Sequence, residues 1–364
     1  MKEAAVVVGV VVGVSLVLAV LALLSSFGVF DALNPGFAGS CTVVPGPPGP
    51  EDIAIDHETG IAYISSDDRR AHRHGANIPG QIYQLDLSGT AGTAGTAETD
   101  TAPELLTGTE RLESFHPHGI SLFRTAAGQI SLFVINHAVP GQPRAGHSIE
   151  IFAIAEGRLR HLESIANLLF RSPNDIAAVG PRQFYVTNDR GYLDGIAMQL
   201  ERIFGWANSD VVYFDGQVAS VVLDGLTFAN GIQFEPQTER VFITETGAHT
   251  LGIYRRSRAD GALALANTAE VGRGPDNIDI DENGNIWIAT HPKAFKLIAH
   301  ADSPEALSPS RVVRLQADGT GIEEIYVGTG EELSAASVAA VYNGEMLLGT
   351  IFDDKLLRCR LAEK

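Results

Sequence analysis

Cysteine and charged residues are both scarce in this chain, and each shortage excludes a class of protein. Only two of the 364 residues are cysteines, too few and too far apart for a cysteine-based zinc cluster or a disulfide-dense small domain. Charged residues make up 19% and apolar residues 45%, the opposite of what keeps a chain unfolded. The chain therefore has enough apolar side chains for a large core, as one ring-like fold or two ordinary domains.

Basic residues and catalytic signature motifs are also in short supply. The 26 lysines and arginines are outnumbered by 44 aspartates and glutamates, and the resulting net charge of −18 repels phosphate backbones. We therefore expect no nucleic-acid partner. No G-x-S-x-G, H-E-x-x-H, Walker or G-x-G-x-x-G context occurs, so serine hydrolase, zincin and nucleotide-binding interpretations lack their residues.

The first thirty residues contain a long apolar run. Residues 4–30 carry no charge, and residues 5–24 alone supply the roughly 20 apolar residues that span a bilayer as a helix. This run is longer than the apolar region of a cleavable signal peptide. We expect residues 1–30 to be a membrane anchor, residues 31–50 a linker and lead-in strand, and residues 51–364 a catalytic domain outside the cytosol. The alternatives are a secreted chain, if the leader is cleaved, and a buried core helix.

The rest of the chain repeats one pattern six times: a polar pair, an alternating apolar strand, a turn, and a second strand with a polar end. The last copy has lost the polar pair and has Ala336 and Ser337 in its place. The first apolar residues of the six copies lie 46 to 67 residues apart, a length that suits one four-stranded blade. They are Ile53, Ile120, Ile176, Ile232, Ile278 and Val338. Because the strands alternate with period two around turn residues, the sequence predicts an all-β, six-bladed β-propeller.

Two further features concern the edges of this ring. Cys41 precedes the first repeat and Cys359 follows the last, so a disulfide between them would close the ring, as an oxidising compartment would permit. Two free buried thiols are the alternative.

Apolar residues recur at helical spacing within residues 193–206 and predict a short amphipathic helix over one face. That helix is either a lid or membrane-facing wall, or a simple cap on a blade.

The polar pairs occupy equivalent positions before the inner strands, and in a propeller such positions face the central channel. The converging side chains are carboxylates, amides and one imidazole: Glu51, Asp52, His118, Asn174, Asp175, Asn230, Asp276 and Asn277. Calcium binds six to eight such oxygens, whereas zinc prefers about four nitrogen or sulfur ligands. The alternative is that these pairs are ordinary turn formers. We expect two calcium ions.

The charges of this set divide between the two ions. The residues expected to hold an ion open to substrate, and therefore a Lewis acid, are Glu51, Asn174, Asn230, Asp276 and Asn277. Asp52 and Asp175, with a main-chain carbonyl, would hold a more buried, structural ion. His118 faces the channel and His137 ends the paired strand, so they are expected to act as a general base and its orienting partner. His116 is expected to be structural.

Several segments together resemble the serum paraoxonases, which are calcium-dependent lactonases and arylesterases with a six-bladed propeller. They are GPEDIAID, FHPHGISLF, VINH, PNDIAAVG, FYVTND, FANGI, PDNIDID, ATHP and LLGTIF, together with both cysteines. The resemblance implies the same five ligands for a catalytic calcium, and the carbonyl of Ile120 with Asp52 and Asp175 for a structural one. It also implies the His118 and His137 roles, and a membrane or lipid-particle anchor. The pocket-lining residues that it implies are Asp189, Phe228 and His291.

These observations predict a hydrolase of lactones and aryl esters, in which water activated by His118 attacks a carbonyl polarised by calcium. Arg190 departs from the resemblance, which places histidine after the T-N-D segment, so the substrate preference stays open. One alternative is a sugar-lactone hydrolase of a related calcium propeller family. The other is a non-catalytic propeller that binds a lipid or protein and uses calcium for rigidity.

Overall fold

The computed structural model describes residues 2–90, 102–110, 112, 114–138 and 146–362, without the side chains of residues 2–11, 90, 202 and 204. The chain begins with helix α1 (Lys2–Ser26) and strands β1 (Gly36–Phe37) and β2 (Ser40–Pro45). Among the residues whose side chains are described, no helix combines the length and apolar character needed to cross a membrane. Part of the predicted span, residues 5–11, lies outside them.

Four blades follow in chain order, each an antiparallel sheet whose first strand is innermost. Blade 1 contains β3 (Pro50–Asp56), β4 (Ile61–Ser66), β5 (Gln81–Asp86) and β6 (Glu104–Leu105). Blade 2 contains β7 (Pro117–Arg124), β8 (Ile130–Asn136), β9 (Ser148–Ala155) and β10 (Arg158–Ala166). Blade 3 contains β11 (Pro173–Ala178), β12 (Phe184–Asn188), β13 (Ser209–Phe214) and β14 (Ala219–Leu226). Blade 4 contains β15 (Ala229–Glu235), β16 (Arg240–Glu245), β17 (Thr250–Arg256) and β18 (Leu263–Glu270).

The last two blades take strands from the N-terminal segment. Blade 5 contains β19 (Pro275–Ile280), β20 (Ile286–Thr290), β21 (Ser310–Leu315) and β22 (Glu323–Gly328), with β1 paired outside β22. Blade 6 contains β23 (Ala336–Tyr342), β24 (Glu345–Thr350) and β25 (Lys355–Arg360), and β2 is its outermost strand. β2 and β25 pair antiparallel, and the disulfide joins Cys41 to Cys359 directly across them. The six-bladed fold and the disulfide are therefore confirmed.

The core explains why alternating strands fold into blades. Six apolar clusters fill the six interfaces between neighbouring blades. Phe133 of blade 2 packs against Phe184 of blade 3, for example, and the cluster between blades 5 and 6 contains Trp287. Because strand side chains point alternately to opposite faces, an inner strand can contribute to the clusters on both sides, as β23 does with Val338 on one side and Ala339 on the other. Four inner strands begin with proline, which a strand tolerates at its first residue.

Three short helices interrupt the blades. They are α2 (Arg69–Arg73) between β4 and β5, α3 (Gly195–Phe204) between β12 and β13, and α4 (Ala294–Asp302) between β20 and β21. α3 is the amphipathic helix that the apolar spacing predicts. Arg73 of α2 forms an ion pair with Asp302 of α4 at 2.6 Å. α2 and α4 are therefore connected on the same side of the ring.

Candidate active site

A break in strand pairing near the start of each inner strand turns the polar residues of blades 1 to 5 toward the channel. One extra residue is inserted into the inner strand between Pro50 and Asp52, and again between Pro117 and Ile120. The other four inner strands have the same break at the same place. Consecutive strand residues normally face opposite sides, whereas a bulge bends the strand and redirects a side chain. The bulges thus explain how polar pairs from separate blades reach the axis.

The five residues predicted to bind the exposed calcium, here called the hub, share an electrostatic property. Within the described residues, four of them have a buried oxygen with no hydrogen-bond partner. These atoms are Glu51 Oε2, Asn174 Oδ1, Asn230 Oδ1 and Asn277 Oδ1. The Asn277 side-chain amide donates to Glu51 Oε1 at 3.2 Å, and the other hub residues occupy equivalent positions on the neighbouring inner strands. Each buried acceptor without a partner costs about 1–3 kcal/mol, so the hub concentrates acceptors that a cation would satisfy.

The carboxyl groups of the hub differ in their pKa values. Burial acts to raise the pKa of Glu51, but the charges of His118 and Arg69 outweigh it and lower this pKa to about 2. His118 Nε2 lies 3.5 Å from Glu51 Oε1 and Arg69 3.8 Å from Glu51 Oε2. Burial raises the pKa of Asp276, although its hydrogen bond to His291 at 2.7 Å works against this rise. Glu51 is thus ionised. Asp276 is paired with His291, which the sequence analysis placed among the residues that line the pocket.

Asp52 and Asp175, predicted to hold the structural calcium, bridge neighbouring blades. Asp52 accepts the main-chain N–H of Ile120 at 2.7 Å, and Asp175 accepts that of Ile232 at 2.7 Å. Gly119 and Gly231 allow close contact at the next interfaces of the ring, because a Cβ there would lie 2.6 Å from Asp175 and 2.5 Å from Asp276. Burial, together with nearby negative charge, raises both aspartate pKa values well above the ordinary value.

Beyond this layer, a cavity of about 500 Å³ occupies the other end of the channel. Asp52, Ile120 and Asp175 line it, together with Asp279 and His57. It contains neither His118 nor His137. This cavity therefore does not mark the candidate active site. The buried acceptors of the hub, which lack hydrogen-bond partners within the described residues, mark it instead.

His118 and His137 lie side by side, with ring centroids 4.8 Å apart and ring planes 40° apart. Among the described contacts, no hydrogen bond joins the two rings, so they interact by packing. Burial, reinforced by the neighbouring histidines, lowers the pKa of His137 well below its ordinary value. His147 packs edge-on against His137 at 5.0 Å and accepts the main-chain N–H of Ala138. His137 is therefore a neutral ring between two other imidazoles.

Two of the three predicted pocket residues, Asp189 and Phe228, line a second cavity of about 300 Å³ with Arg190 and with Trp206, which follows α3. Arg190 binds Asp189 through two contacts of 2.8 and 2.5 Å, and Ser172 donates its hydroxyl to the same carboxylate. Burial acts to raise the pKa of Asp189, but Arg190 outweighs it and holds this pKa below the ordinary value. The predicted helix thus forms part of the wall of a cavity.

Sequence reasoning missed several residues near the hub. Arg69 and His147 belong to segments outside the repeat pattern, so no spacing signal indicated them. Arg190 was noticed only as a departure, and its pairing with Asp189 required the structure. The six bulges carry a weak signal, namely the proline or alanine with which each inner strand begins.

Comparison with known proteins gives a consistent result. The sequence model of the arylesterase family matches residues 50–361. Serum paraoxonase/arylesterase 1 of Homo sapiens is 34% identical over 331 residues, which cover 88% of this chain and 89% of that protein. Serum paraoxonase/arylesterase 2 of Gallus gallus is 32% identical over 337 residues, 90% of this chain and 91% of that protein. A solved luciferin-regenerating enzyme, 12% identical with a TM-score of 0.54 over 88% of this chain and 95% of its own, shares the fold.

Proposed function

The chain belongs to the arylesterase family, and on that premise we propose that it is a calcium-dependent hydrolase of lactones and aryl esters. Its relatives are named as paraoxonases and arylesterases, so the chain is an ester hydrolase that acts on small molecules. One observation carries the proposal of calcium. Four buried oxygens of the hub, from four different blades, have no hydrogen-bond partner within the described residues.

The donor set of the hub fits calcium. It consists of carboxylate and amide oxygens with no thiol, and calcium prefers oxygen ligands in flexible sets of six to eight. A calcium ion bound there would supply Lewis-acid polarisation of a substrate carbonyl. A second ion at Asp52, Asp175 and the carbonyl of Ile120 is supported by the raised pKa values of both aspartates, because a cation would compensate their buried charges.

His118 is the residue best placed to accept a proton from an attacking water. Its side chain is 20% exposed while Glu51 is 3% exposed, so the imidazole lies between the hub and the solvent. His137 limits the orientations of the His118 ring by packing against it. Asp189 is a weaker base because Arg190 and Ser172 engage its carboxylate. Its role would be to fix Arg190 in the wall of the cavity.

The test uses Asn230→Ala, with Asn267→Ala as a matched control on the outermost strand of the same blade. Each protein is assayed on phenyl acetate, a simple lactone and a sugar lactone, with calcium and after its removal by EDTA. Loss of a ligand is expected to lower kcat/KM by about 100-fold in Asn230→Ala and to leave Asn267→Ala unchanged. Full activity of Asn230→Ala, or hydrolysis that survives chelation, would contradict the calcium proposal. A preference for the sugar lactone would favour the related sugar-lactone activity instead.

We also propose that α1 anchors the enzyme at a membrane or lipid particle outside the cytosol. The apolar run of residues 4–30 supports the anchor, and the Cys41–Cys359 bond fits an oxidising compartment. The end of α1 is held to the connection between blades 4 and 5, because Arg273 donates to the carbonyl of Ser26 at 3.0 Å. Val17→Arg is expected to move the full-length protein from the membrane fraction to the soluble fraction. An unchanged distribution would contradict the anchor.

A further inference from the structure

Asp67, His72 and His116 form a second group of potential metal ligands, separate from the hub. Asp67 directly follows β4 in blade 1, His72 lies on α2, and His116 precedes β7 in blade 2. One ligand atom from each lies within 4.8 Å of the other two. All three side chains are at most 8% exposed. The fold therefore buries two imidazoles and a carboxylate together, from two blades and a helix.

One oxygen, Asp67 Oδ1, is shared by both imidazoles. His72 Nε2 lies 2.9 Å from it, and His116 Nδ1 lies 3.3 Å from it. The two rings meet edge to face, with centroids 4.8 Å apart. The three groups thus converge on one point, whereas a simple ion pair would need only two of them.

The surroundings of His72 require a positive charge at this point. Its Nδ1 lies 2.9 Å from the carbonyl oxygen of Ala76, which can only accept, so Nδ1 carries a proton. In a neutral His72 ring, Nε2 then directs a lone pair at Asp67 Oδ1, which also presents lone pairs. Two acceptors at 2.9 Å repel each other unless a proton or a metal ion lies between them.

One observation favours a metal ion over a proton. A histidine whose other ring nitrogen donates to a main-chain carbonyl is the usual arrangement of a metal ligand, and His72 has it. His116 directs Nδ1 at the same oxygen of Asp67, so it is placed as a third ligand. If a proton is the bridge instead, His116 Nδ1–H donates an ordinary hydrogen bond to Asp67 Oδ1, and zinc binding separates the two cases.

We propose that Asp67, His72 and His116 bind one divalent transition-metal ion of the zinc type. Two imidazoles and one carboxylate form a known ligand set for zinc, with a further position for water, whereas calcium prefers oxygen ligands. Arg69 is the nearby cation, and its guanidinium is engaged by the carbonyls of Gly49 and Pro117.

The ion would fix α2 relative to the strand that carries His118. α2 is only five residues long, yet its arginines contact three other parts of the ring. Arg69 reaches Glu51 in the hub, Arg70 donates to the carbonyl of Phe352, and Arg73 pairs with Asp302 of α4. His116 lies two residues before His118. The ion thus acts as a positioning element beside the hub, not as part of it.

The test measures zinc binding by the untagged, full-length protein with calcium kept saturating. Zinc is measured by mass spectrometry after equilibrium dialysis, and cobalt(II) is used as a spectroscopic substitute. The variants are His72→Gln and, as a matched control on the exposed end of the same helix, His74→Gln. We expect one zinc per chain in the wild type and in His74→Gln, and binding at least about tenfold weaker in His72→Gln.

Two results would overturn the proposal. The first is equal zinc binding by His72→Gln and His74→Gln, which would place the ion on other histidines. The second is no zinc binding by the wild type together with ¹⁵N chemical shifts that show His72 doubly protonated, which would identify a proton as the bridge. If circular dichroism shows that His72→Gln is misfolded, two other measurements answer the same question. They are zinc binding by Asp67→Asn and zinc-dependent ¹⁵N chemical shifts of the His116 nitrogens in the wild type. Because the readout is zinc and not ester hydrolysis, failure here leaves the proposed function untouched.

Discussion

The disulfide between β2 and β25 allows a quantitative prediction about the stability of the ring. The change is the double variant Cys41→Ala/Cys359→Ala, compared with the oxidised wild type. Alanine is chosen because Cys359 is fully buried, and a serine hydroxyl there would lack a guaranteed hydrogen-bond partner. The ladder from Ser40–Pro45 to Lys355–Arg360 does not depend on the sulfur atoms, so the native ring is expected to stay closed.

The magnitude follows from the length of chain that the bond encloses. The two cysteines are 318 residues apart, and the loop-closure relation for a loop of that length gives about 6 kcal/mol, as an upper value. Measured disulfide contributions are usually smaller, because unfolded chains retain some structure and the native state also changes. We expect the free energy of unfolding to fall by about 3–6 kcal/mol, chiefly through a gain in entropy of the unfolded chain.

The assay is equilibrium unfolding in urea with calcium saturating, followed by tryptophan fluorescence. Trp287 belongs to the same apolar cluster as the two cysteines and should report opening of the seam. Reduced wild-type protein serves as a control, because it loses the same bond without a substitution, and it should unfold at a similar urea concentration. A loss below about 1 kcal/mol in both proteins would refute the reasoning, since the β2–β25 ladder would then close the ring without help.

Two further predictions concern ionisable groups in the channel. Burial raises the pKa of Asp279 to about 6, so this carboxyl binds a proton more tightly in the folded state than in the unfolded state, and its own contribution to stability is expected to fall by about 3 kcal/mol as pH rises from 4 to 6. Asp279→Asn should abolish most of that fall in urea unfolding at pH 4 and pH 7, and an unchanged pH dependence would show the reasoning to be wrong. His118→Gln is expected to lower kcat on phenyl acetate by about 10²–10⁴-fold, and His137→Gln by less, because His137 acts through packing. His57→Gln at the other end of the channel is the control, and normal turnover by His118→Gln would remove this histidine from the mechanism.

The fold was largely predictable because each blade repeats the same local pattern. The alternation of apolar residues after each polar pair identified all six inner strands. It could not show that β1 and β2 belong to blades 5 and 6, because an outer strand pairs on one side only and carries little apolar alternation. The domain boundaries at residues 30 and 50 remain predictions.

The prediction of the site relied on the symmetry of the propeller. It therefore missed residues that lie outside the repeated positions. Residues that occupy the repeated position, such as Glu51 and Asn230, could be grouped without coordinates. Residues outside the repeated positions could not, because their positions follow no period: Arg69 of α2 contacts Glu51 of the hub, and His147 packs against His137. The contacts of His116 with Asp67 and His72 could not be foreseen for the same reason, because Asp67 follows β4 and His72 lies on α2, outside the repeated position.

The pairing of β2 with β25 also determines when the protein can finish folding during its synthesis. Cys41 and Cys359 are 318 residues apart, so residues 40–45 leave the ribosome long before residues 355–360. A nascent chain must therefore keep β2 without its native neighbour until β25 has been made, and the Cys41 thiol must wait equally long for its partner. The ring can close only after that point, and a chain truncated before residue 355 would leave the edge of β24 exposed to aggregation.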